Sequence, residues 1–494
     1  MNFITYLFRM ILPGIIFPAT LWAQTPLLKN QSRPGDFVVE PPTLICAGFE
    51  WPVYGDENRN ATVAVSYRLK GEAVWKEALP LLRIGGEKIF GHDQRWVYTT
   101  PHMFAGSIFN LTPGSLYECR FVLSDPDGTQ GKTEEIVTIR TKTEPQPYPH
   151  GNTYHVYPPG YKGTKESPAF TGLNEAYFDG GNTGDWWLVP EARVRAGDVI
   201  LVHAGLYKGD RKNYVDPLAL NFHGAYVLTQ KGTPEKPITI KAAGDGEVIF
   251  DGDGAYRLFD VMAADYHLFE GITIRNTDIA FYAGLKHVMG CSGLTVKNCT
   301  IEDVGIAVMT HSENSKDFYI ADNDMTGRHD PDTLLGWYGF ENPSPLTSYY
   351  AVKVYGQSHV ICHNTIRYFR RHLCRYPRTA GAGAGQKCVS IDIYRNDIFN
   401  MSDDFIESDG GVHNIRIFEN RGFNAYHAAL SAQPIFGGPV YFVRNICYHV
   451  PGTALKYTIR PAGILTYNNT FCMETSISGF SNGHFRNNLF FRPR

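Results

Sequence analysis

Residues 391–430 read IDIYRNDIFNMSDDFIESDGGVHNIRIFENRGFNAYHAAL and show the repeating pattern from which the architecture is predicted. This stretch contains one unit twice: a short apolar strand, an asparagine and a second short strand, as in IYRNDIF around Asn396 and IFENRGF around Asn420. Its apolar residues alternate with polar ones and show no helical periodicity. A unit this short cannot bury an apolar face alone, so it must stack on neighbouring units.

The same unit recurs from residue 276 to near the end of the chain. Its asparagines are Asn276, Asn298, Asn323, Asn364, Asn396, Asn420, Asn445, Asn468 and Asn487, separated by 22, 25, 41, 32, 24, 25, 23 and 19 residues. This period, without helical segments, predicts a right-handed parallel β-helix with an asparagine ladder along one corner. The two long spacings mark inserted loops, which commonly border a binding groove.

Two earlier segments, GDVILVHAGLYKG and KPITIKAAGDGEVIFDG, predict the first turns of the solenoid. Together with the asparagine units they resemble the pectate-lyase-like β-helix proteins, a superfamily of polysaccharide lyases, glycosidases and uronate epimerases. The resemblance covers residues 150–494. It implies a carbohydrate substrate, but the chemistry has to be argued from individual residues because one fold hosts many functions.

Residues 38–143 predict a separate β-sandwich, so the whole chain is expected to be all-β. The segments TLICAGFEW, ATVAVSYRL, MFAGSIFNL, SLYECRFVL and EIVTIRT read as short strands separated by turns. LTPGSLYECRF resembles the tyrosine corner of fibronectin type III or immunoglobulin-like domains, with Tyr117 two residues before Cys119. The resemblance implies a Cys46–Cys119 disulfide as a candidate, and two separately buried thiols are the alternative.

The bulk properties restrict the partners and the location. The 494 residues are 43% hydrophobic and carry a formal charge of −3 without a dense basic segment, which argues against a nucleic acid partner. Residues 1–23, with an apolar run from Met10 to Ala23, are typical of a secretory signal. We expect a secreted or periplasmic monomer with no membrane span that acts on a polysaccharide.

The segments DDFIESDGG, HAALSAQ and TALKYTIRP align as successive strands of one face of the solenoid. Side chains alternate between the two sides of a strand, so Ile406, Leu430 and Leu455 are expected to point into the core. The residue after each of them, and the residue two positions beyond that one, are then expected to point outward. The predicted outward residues are Lys353, Tyr355, Glu407, Asp409, Ser431, Gln433 and Lys456. Glu407 and Lys456, two strands apart, are expected to lie roughly 10 Å from each other.

The acids of this face resemble the calcium turn of one pectate lyase family. Asp403, Asp404 and Glu407 form a D-D-x-x-E pattern of oxygen ligands suited to Ca²⁺. In the lyase that this resemblance implies, the cation neutralises a uronate carboxylate and Lys456 or Lys353 removes the proton at C5. The preferred hypothesis is therefore calcium-assisted β-elimination on an acidic glycan.

The same acids allow two other hypotheses. Two carboxyl groups suffice for glycoside hydrolysis, with Asp404 and Asp409, or Glu407 with either of them, as acid and base. A non-catalytic glycan binder is the third hypothesis. In any of these, Arg460 is predicted to bind a substrate carboxylate, and Gln433, Tyr355 and His311 are predicted to line the groove.

Overall fold

The computed structural model describes residues 29–90, 96–179, 191–208, 226–329, 348–369, 371–374, 388–477 and 479–492. The predicted signal segment 1–23 and much of both insertions lie outside these residues. The regular secondary structure of the described part is strand, apart from one short helix, α1, at Leu173–Tyr177. No helix in it is long and apolar enough to cross a membrane.

The N-terminal part is a sandwich of two antiparallel sheets with a small hairpin. Its strands are β1 (Ser32–Pro34), β2 (Val38–Val39), β3 (Ala47–Gly55), β4 (Thr62–Leu69), β5 (Lys76–Glu77), β6 (Leu82–Ile84), β7 (Lys88–Phe90), β8 (Trp96–Thr99), β9 (Met103–Ile108), β10 (Leu116–Ser124) and β11 (Glu134–Arg140). One sheet joins β1, β2, β3, β9 and β6, and the other joins β11, β10, β4 and β5. The Tyr117 hydroxyl accepts a hydrogen bond from the Thr112 backbone N–H at 2.9 Å, which is the geometry of a tyrosine corner. The fibronectin type III assignment itself stays a prediction.

The predicted Cys46–Cys119 disulfide is not formed, because the two thiols lie in different cores. Cys119 is buried inside the sandwich, whereas Cys46 packs in a cluster with Tyr319 and Phe418 of the C-terminal part. The alternative of two separately buried thiols is therefore correct.

The C-terminal part is a parallel β-helix with three faces. The first face is a 13-stranded parallel sheet containing β12 (Thr153–Tyr157), β13 (Ala169–Thr171), β16 (Val199–Val202), β19 (Ile238–Ala242), β21 (His267–Glu270), β23 (Thr295–Lys297), β25 (Tyr319–Ala321), β28 (Val360–Cys362), β31 (Val389–Tyr394), β34 (His413–Phe418), β37 (Phe436–Val443), β40 (Ala462–Tyr467) and β42 (Ser481–Arg486). A short antiparallel hairpin, β14 (Phe178–Asp179) with β15 (Glu191–Ala192), follows α1.

The other two faces belong to one 17-stranded sheet that bends along its length. The second face holds β17 (Gly205–Tyr207), β26 (Asp324–Gly327), β29 (Thr365–Arg367), β32 (Asp397–Met401), β35 (Arg421–Ala425), β38 (Ile446–Tyr448), β41 (Thr470–Cys472) and β43 (Leu489–Phe491). The third face holds β18 (Tyr226–Val227), β27 (Tyr350–Val354), β30 (Arg371–Cys374), β33 (Asp404–Glu407), β36 (Ala428–Ser431) and β39 (Thr453–Lys456), and the long strands β20 (Val248–Asp260), β22 (Thr273–Tyr282) and β24 (Thr300–Met309) run through both.

An asparagine ladder marks the corner between the first and second faces, as predicted, but with a corrected register. Its members are Asn323, Asn364, Asn396, Asn420, Asn445, Asn469 and Asn488. The side-chain amide of each of the first six donates to the side-chain oxygen of the next at 2.9–3.0 Å. The residue before each ladder asparagine has a positive φ, and Asn468 and Asn487 occupy that preceding position. Asn298 also has a positive φ, but it precedes Cys299, whose backbone N–H donates to the side-chain oxygen of Asn323. Asn276 also has a positive φ, and its side chain donates to Asp251 instead.

The sandwich docks on the outer side of the first face. There the backbone N–H of Ser107 donates to the Tyr441 hydroxyl at 2.9 Å, and Ser107 Oγ donates to Asn414 at 2.8 Å. The buried Arg416 pairs with Asp392 and also donates to Ser107 Oγ. The first face is therefore covered around these strands.

Candidate active site

Strands β33, β36 and β39 place the candidate site on the third face, in the predicted register. Glu407 pairs with Ser431 and Ser431 pairs with Lys456 along adjacent parallel strands. The intervening side chains are Ile406, Leu430 and Leu455, and all three are buried in the solenoid core. Apolar residues at alternate positions thus fix which side of each strand carries the polar groups.

Lys456 reaches across the face to the aspartate pair at the start of β33. Its Nζ lies 2.9 Å from Asp404 Oδ2 and 3.9 Å from Asp403 Oδ1. Burial alone would lower the pKa of Lys456, but the charges of Asp404, Asp403 and Glu407 raise that pKa above its ordinary value. Lys456 therefore holds its proton tightly, which is the opposite of what the predicted lyase base needs.

Asp409 follows β33 and is buried beside the same strands. Its Oδ1 accepts hydrogen bonds from Ser431 Oγ at 2.8 Å and from the Gln433 backbone N–H at 2.9 Å. Burial raises the pKa of Asp409 to about 6, although the Ser431 hydrogen bond opposes this, and the charge of Asp404 raises it further. A buried carboxyl with a pKa near 6 is protonated in part of the molecules near neutral pH.

His427 belongs to the site but was not predicted. Its Nδ1 lies 3.3 Å from Asp403 Oδ1 and 3.5 Å from Asp404 Oδ1, and half of the side chain is exposed. Hydrogen bonds to Asp403 and Asp404 raise the pKa of His427 to about 9. The repeat alignment could have identified His427. Ala428 pairs with Asp404 on the neighbouring strand, so His427, the residue before it, aligns with Asp403.

The predicted calcium ligands are not the group that the structure brings together. Among the described residues, Asp403 and Asp404 cluster with His427 rather than with Glu407. Ca²⁺ prefers six to eight oxygen ligands, whereas this cluster offers two carboxylates, one ring nitrogen and the nearby Lys456 ammonium group. The donor set does not fit Ca²⁺, and the calcium site stays a prediction on which no step below depends.

Lys353, Tyr355 and His311 lie farther along the third face. Lys353 is buried and is linked to Glu407 through Leu373 of the intervening strand, which places it roughly 10 Å from Glu407. The His311 ring packs against Tyr355 at 5.6 Å between centroids. Burial, with the charge of Lys353, lowers the pKa of His311 to about 4, so this imidazole is neutral at physiological pH.

Gln433 and Arg460 have different surroundings. Gln433 holds Asp409 through its backbone, and its side-chain oxygen accepts a hydrogen bond from Thr458. The Arg460 guanidinium lies 5.1 Å from the ring centroid of Phe90 in the sandwich. Gln433 is thus part of the acid cluster, whereas the contact described for Arg460 is with the other domain.

Comparisons with known proteins give distant likenesses only. No family model and no curated protein matches the chain. A Yersinia enterocolitica family 28 exopolygalacturonase is 9% identical with a TM-score of 0.36, over 94% of this chain and 100% of that chain. The catalytic domain of a GH87 α-1,3-glucanase in complex with nigerose is 10% identical with a TM-score of 0.31, over 92% and 91%. A mannuronic-acid-specific family 6 polysaccharide lyase from human gut microbiota is 11% identical with a TM-score of 0.26, over 61% and 78%.

Proposed function

We propose that this chain is a glycoside hydrolase that acts on a polysaccharide, with Asp409 as the general acid and Asp404 as its partner carboxylate. The observation that carries this proposal is the contrast between the two acids. Asp409 is buried with a pKa of about 6, whereas the charge of Asp404 is compensated by Lys456 at 2.9 Å. Pairs of carboxyl groups in contrasting environments are the usual acid and base of glycoside hydrolysis.

Asp409 is held in a way that suits proton donation. Both hydrogen bonds that the described residues donate to it end on Oδ1, from Ser431 and Gln433. The proton is therefore expected on Oδ2. From there it passes to the glycosidic oxygen as the bond to the anomeric carbon breaks, so that the leaving sugar departs as a neutral alcohol.

Asp404 is held as the anionic partner. Lys456 fixes one of its oxygens, and His427 lies 3.5 Å from the other. In this role Asp404 either activates a water molecule or attacks the anomeric carbon directly, and because Asp404 and Asp409 are both buried, either route requires the covering side chains to move when substrate binds. The first route inverts and the second retains the anomeric configuration of the product, so NMR of the first product formed decides between them.

The charge of the substrate is a separate part of the proposal. Acids outnumber cations around Asp404 and Asp409, so a uronate is better placed toward Lys353, farther along the third face. An acidic polysaccharide would bind with a carboxylate near Lys353 and with its scissile bond near Asp409. Lys353→Met should then raise KM for an acidic substrate more than for a neutral one.

β-Elimination is the second candidate, and one observation favours it. The neutral His311 beside Lys353 supplies a proton acceptor next to a cation, which is the combination that proton abstraction next to a uronate carboxylate needs. Lys456 is unsuited to be that base because its proton is stabilised by three acids. Elimination would therefore depend on His311 and survive changes at Asp409.

The experiment is an activity screen of the purified chain on pectic, alginate, glucuronan and neutral glycans. Hydrolysis predicts new reducing ends without absorbance from unsaturated uronates, and Asp409→Asn should lower the rate at least about 100-fold. The matched control is Asp397→Asn, which changes an exposed carboxylate paired with Arg421 on the second face. Full activity of Asp409→Asn would refute the proposal, and binding without any product would favour the glycan-binder hypothesis.

A further inference from the structure

A second cluster of chemically active side chains lies at the start of the solenoid, far along the chain from the acid cluster. His155 is on β12, and His203 directly follows the neighbouring strand β16. His155 Nδ1 and His203 Nε2 face each other at 3.0 Å, and both residues are buried. Neither residue takes part in the proposed hydrolysis.

Asp245 orients one of these imidazoles. Its Oδ2 lies 2.7 Å from His203 Nδ1, and its Oδ1 accepts the Ala204 backbone N–H at 3.0 Å. With Nδ1–H donated to Asp245, His203 directs the lone pair of Nε2 toward His155. A carboxylate behind a histidine is the usual arrangement around metal-bound imidazoles. The Tyr157 ring, stacked on His203 at 4.2 Å, further fixes the imidazole plane.

Glu166 brings a carboxylate to the same place from the loop between β12 and β13. Its Oε2 lies 3.8 Å from His155 Nε2, and its backbone N–H donates to the Tyr157 hydroxyl at 2.7 Å. One ligand atom from each of His155, His203 and Glu166 fits within 4.8 Å of the others. The Glu166 side chain is 72% exposed, so a hydrated ion can reach the cluster from solvent.

We propose that His155, His203 and Glu166 form a binding site for a divalent transition metal of the Zn²⁺ class. Zinc binds imidazole nitrogen at about 2.0–2.1 Å, so two tetrahedral nitrogen ligands lie about 3.3 Å apart. The 3.0 Å between His155 Nδ1 and His203 Nε2 needs only a small opening of the pair, whereas the 3.8 Å contact of Glu166 is with the other ring nitrogen of His155, so the exposed Glu166 side chain has to move toward Nδ1. Two histidines and one carboxylate are a donor set that zinc prefers over calcium.

Such an ion would fasten the Glu166 loop to the first two turns of the solenoid. Terminal repeats have a neighbour on one side only, so they are where a solenoid needs extra stabilisation. The His155–His203–Glu166 cluster differs from the Asp403–Asp404–His427 group, because in that group the Lys456 ammonium already compensates the charge of Asp404. The metal is therefore expected to act on stability and not on the chemistry of the acid cluster.

The test is titration of the chelator-treated full chain with Zn²⁺, followed by calorimetry and by thermal unfolding. We expect one equivalent of Zn²⁺ to bind and to raise Tm. His203→Gln should weaken binding at least 100-fold, and Asp245→Asn should weaken it about 10- to 100-fold. Glu166→Gln changes an exposed side chain, so this variant is expected to fold. It therefore tests the site even if His203→Gln does not fold.

The control is His427→Gln, which removes the nitrogen ligand of the other cluster and should leave this Zn²⁺ equivalent unchanged. Substitution with Co²⁺ should give the visible absorption of a tetrahedral nitrogen and oxygen site, and Glu166→Gln should alter that spectrum. Absence of Zn²⁺ binding, or binding that is unaffected by both Glu166→Gln and Asp245→Asn, would overturn the proposal. The histidines would then be a simple hydrogen-bonded pair.

Discussion

Asp409→Asn should make the protein more stable at neutral pH while it lowers the rate of hydrolysis at least about 100-fold. Burial raises the pKa of Asp409 from 3.8 to about 6. A tenfold change in proton affinity corresponds to about 1.4 kcal/mol, so ionised Asp409 costs the folded state roughly 3 kcal/mol. Asparagine keeps an oxygen that accepts from Ser431 and Gln433 but carries no charge. We expect a gain of about 1–3 kcal/mol in the free energy of unfolding at pH 7.

The pH dependence of this gain follows from the sign of the change in pKa. Because the folded-state pKa of Asp409 is raised, the folded protein binds the proton more tightly than the unfolded chain between about pH 4 and 6. The stability of the unmodified protein relative to Asp409→Asn therefore falls as pH rises through this window. The two proteins should be equally stable near pH 4 and differ fully by pH 7.

The assay is urea and thermal unfolding of both proteins at several pH values from 4 to 7.5, with Asp397→Asn as the control. That control loses an exposed pair with Arg421, worth at most about 1 kcal/mol. If Asp409→Asn destabilised the protein at pH 7, Asp409 would be a structural anion. If it gained stability equally at all pH values, the pKa of Asp409 would not be raised by folding, and either result would refute the proposed acid role.

Three further predictions concern the partners of the cluster and the ladder. Lys456→Met should lower the free energy of unfolding by about 3–5 kcal/mol, because it leaves the buried Asp404 charge unpaired. The double variant Asp404→Asn with Lys456→Met should lose clearly less stability than the sum of the two single variants. NMR titration of His427 should give a pKa near 9, because Asp403 and Asp404 hold its proton. The stability that protonated His427 contributes to the folded protein should be present below pH 6.5 and be lost as pH rises through 9. Asn420→Ala should cost about 3 kcal/mol or more, because several buried ladder groups lose their partners.

Each of these predictions has a contrary result. A double variant of Asp404 and Lys456 that cost the full sum would show that the two groups do not interact. A His427 pKa near 6.5 would separate it from the acid pair. For the ladder, Asn468→Gly is the control, because Asn468 has a φ of 57° that glycine adopts readily. A larger effect at Asn468 than at Asn420 would contradict the corrected register.

The fold could be predicted because each repeat unit carries the residue pattern that specifies its strands and its turn. Each unit places an asparagine between two short strands, and alternation decides which side chains enter the core. The errors at Asn468 and Asn487 arose because each is followed by a second asparagine, which is the one that enters the ladder. Alignment on the following strand separates the two, because Phe471 follows Asn469 at the same spacing as Ile366 follows Asn364.

The candidate site was predicted in part. Alternation placed Glu407 and Lys456 in their observed register, but it did not show that the long Lys456 side chain pairs with Asp404. The reach of a flexible side chain depends on the final geometry of the face. The Cys46–Cys119 prediction failed for a similar reason, because docking of the sandwich on the solenoid cannot be inferred from strands of either domain alone.

Product analysis in water labelled with heavy oxygen distinguishes hydrolysis of a glycosidic bond by the acid cluster from β-elimination. Hydrolysis predicts one labelled oxygen at each new reducing end and no ultraviolet absorbance from an unsaturated sugar, with the labelled product formed at least about 100-fold more slowly by Asp409→Asn. Unlabelled products that absorb in the ultraviolet would contradict the account and establish β-elimination.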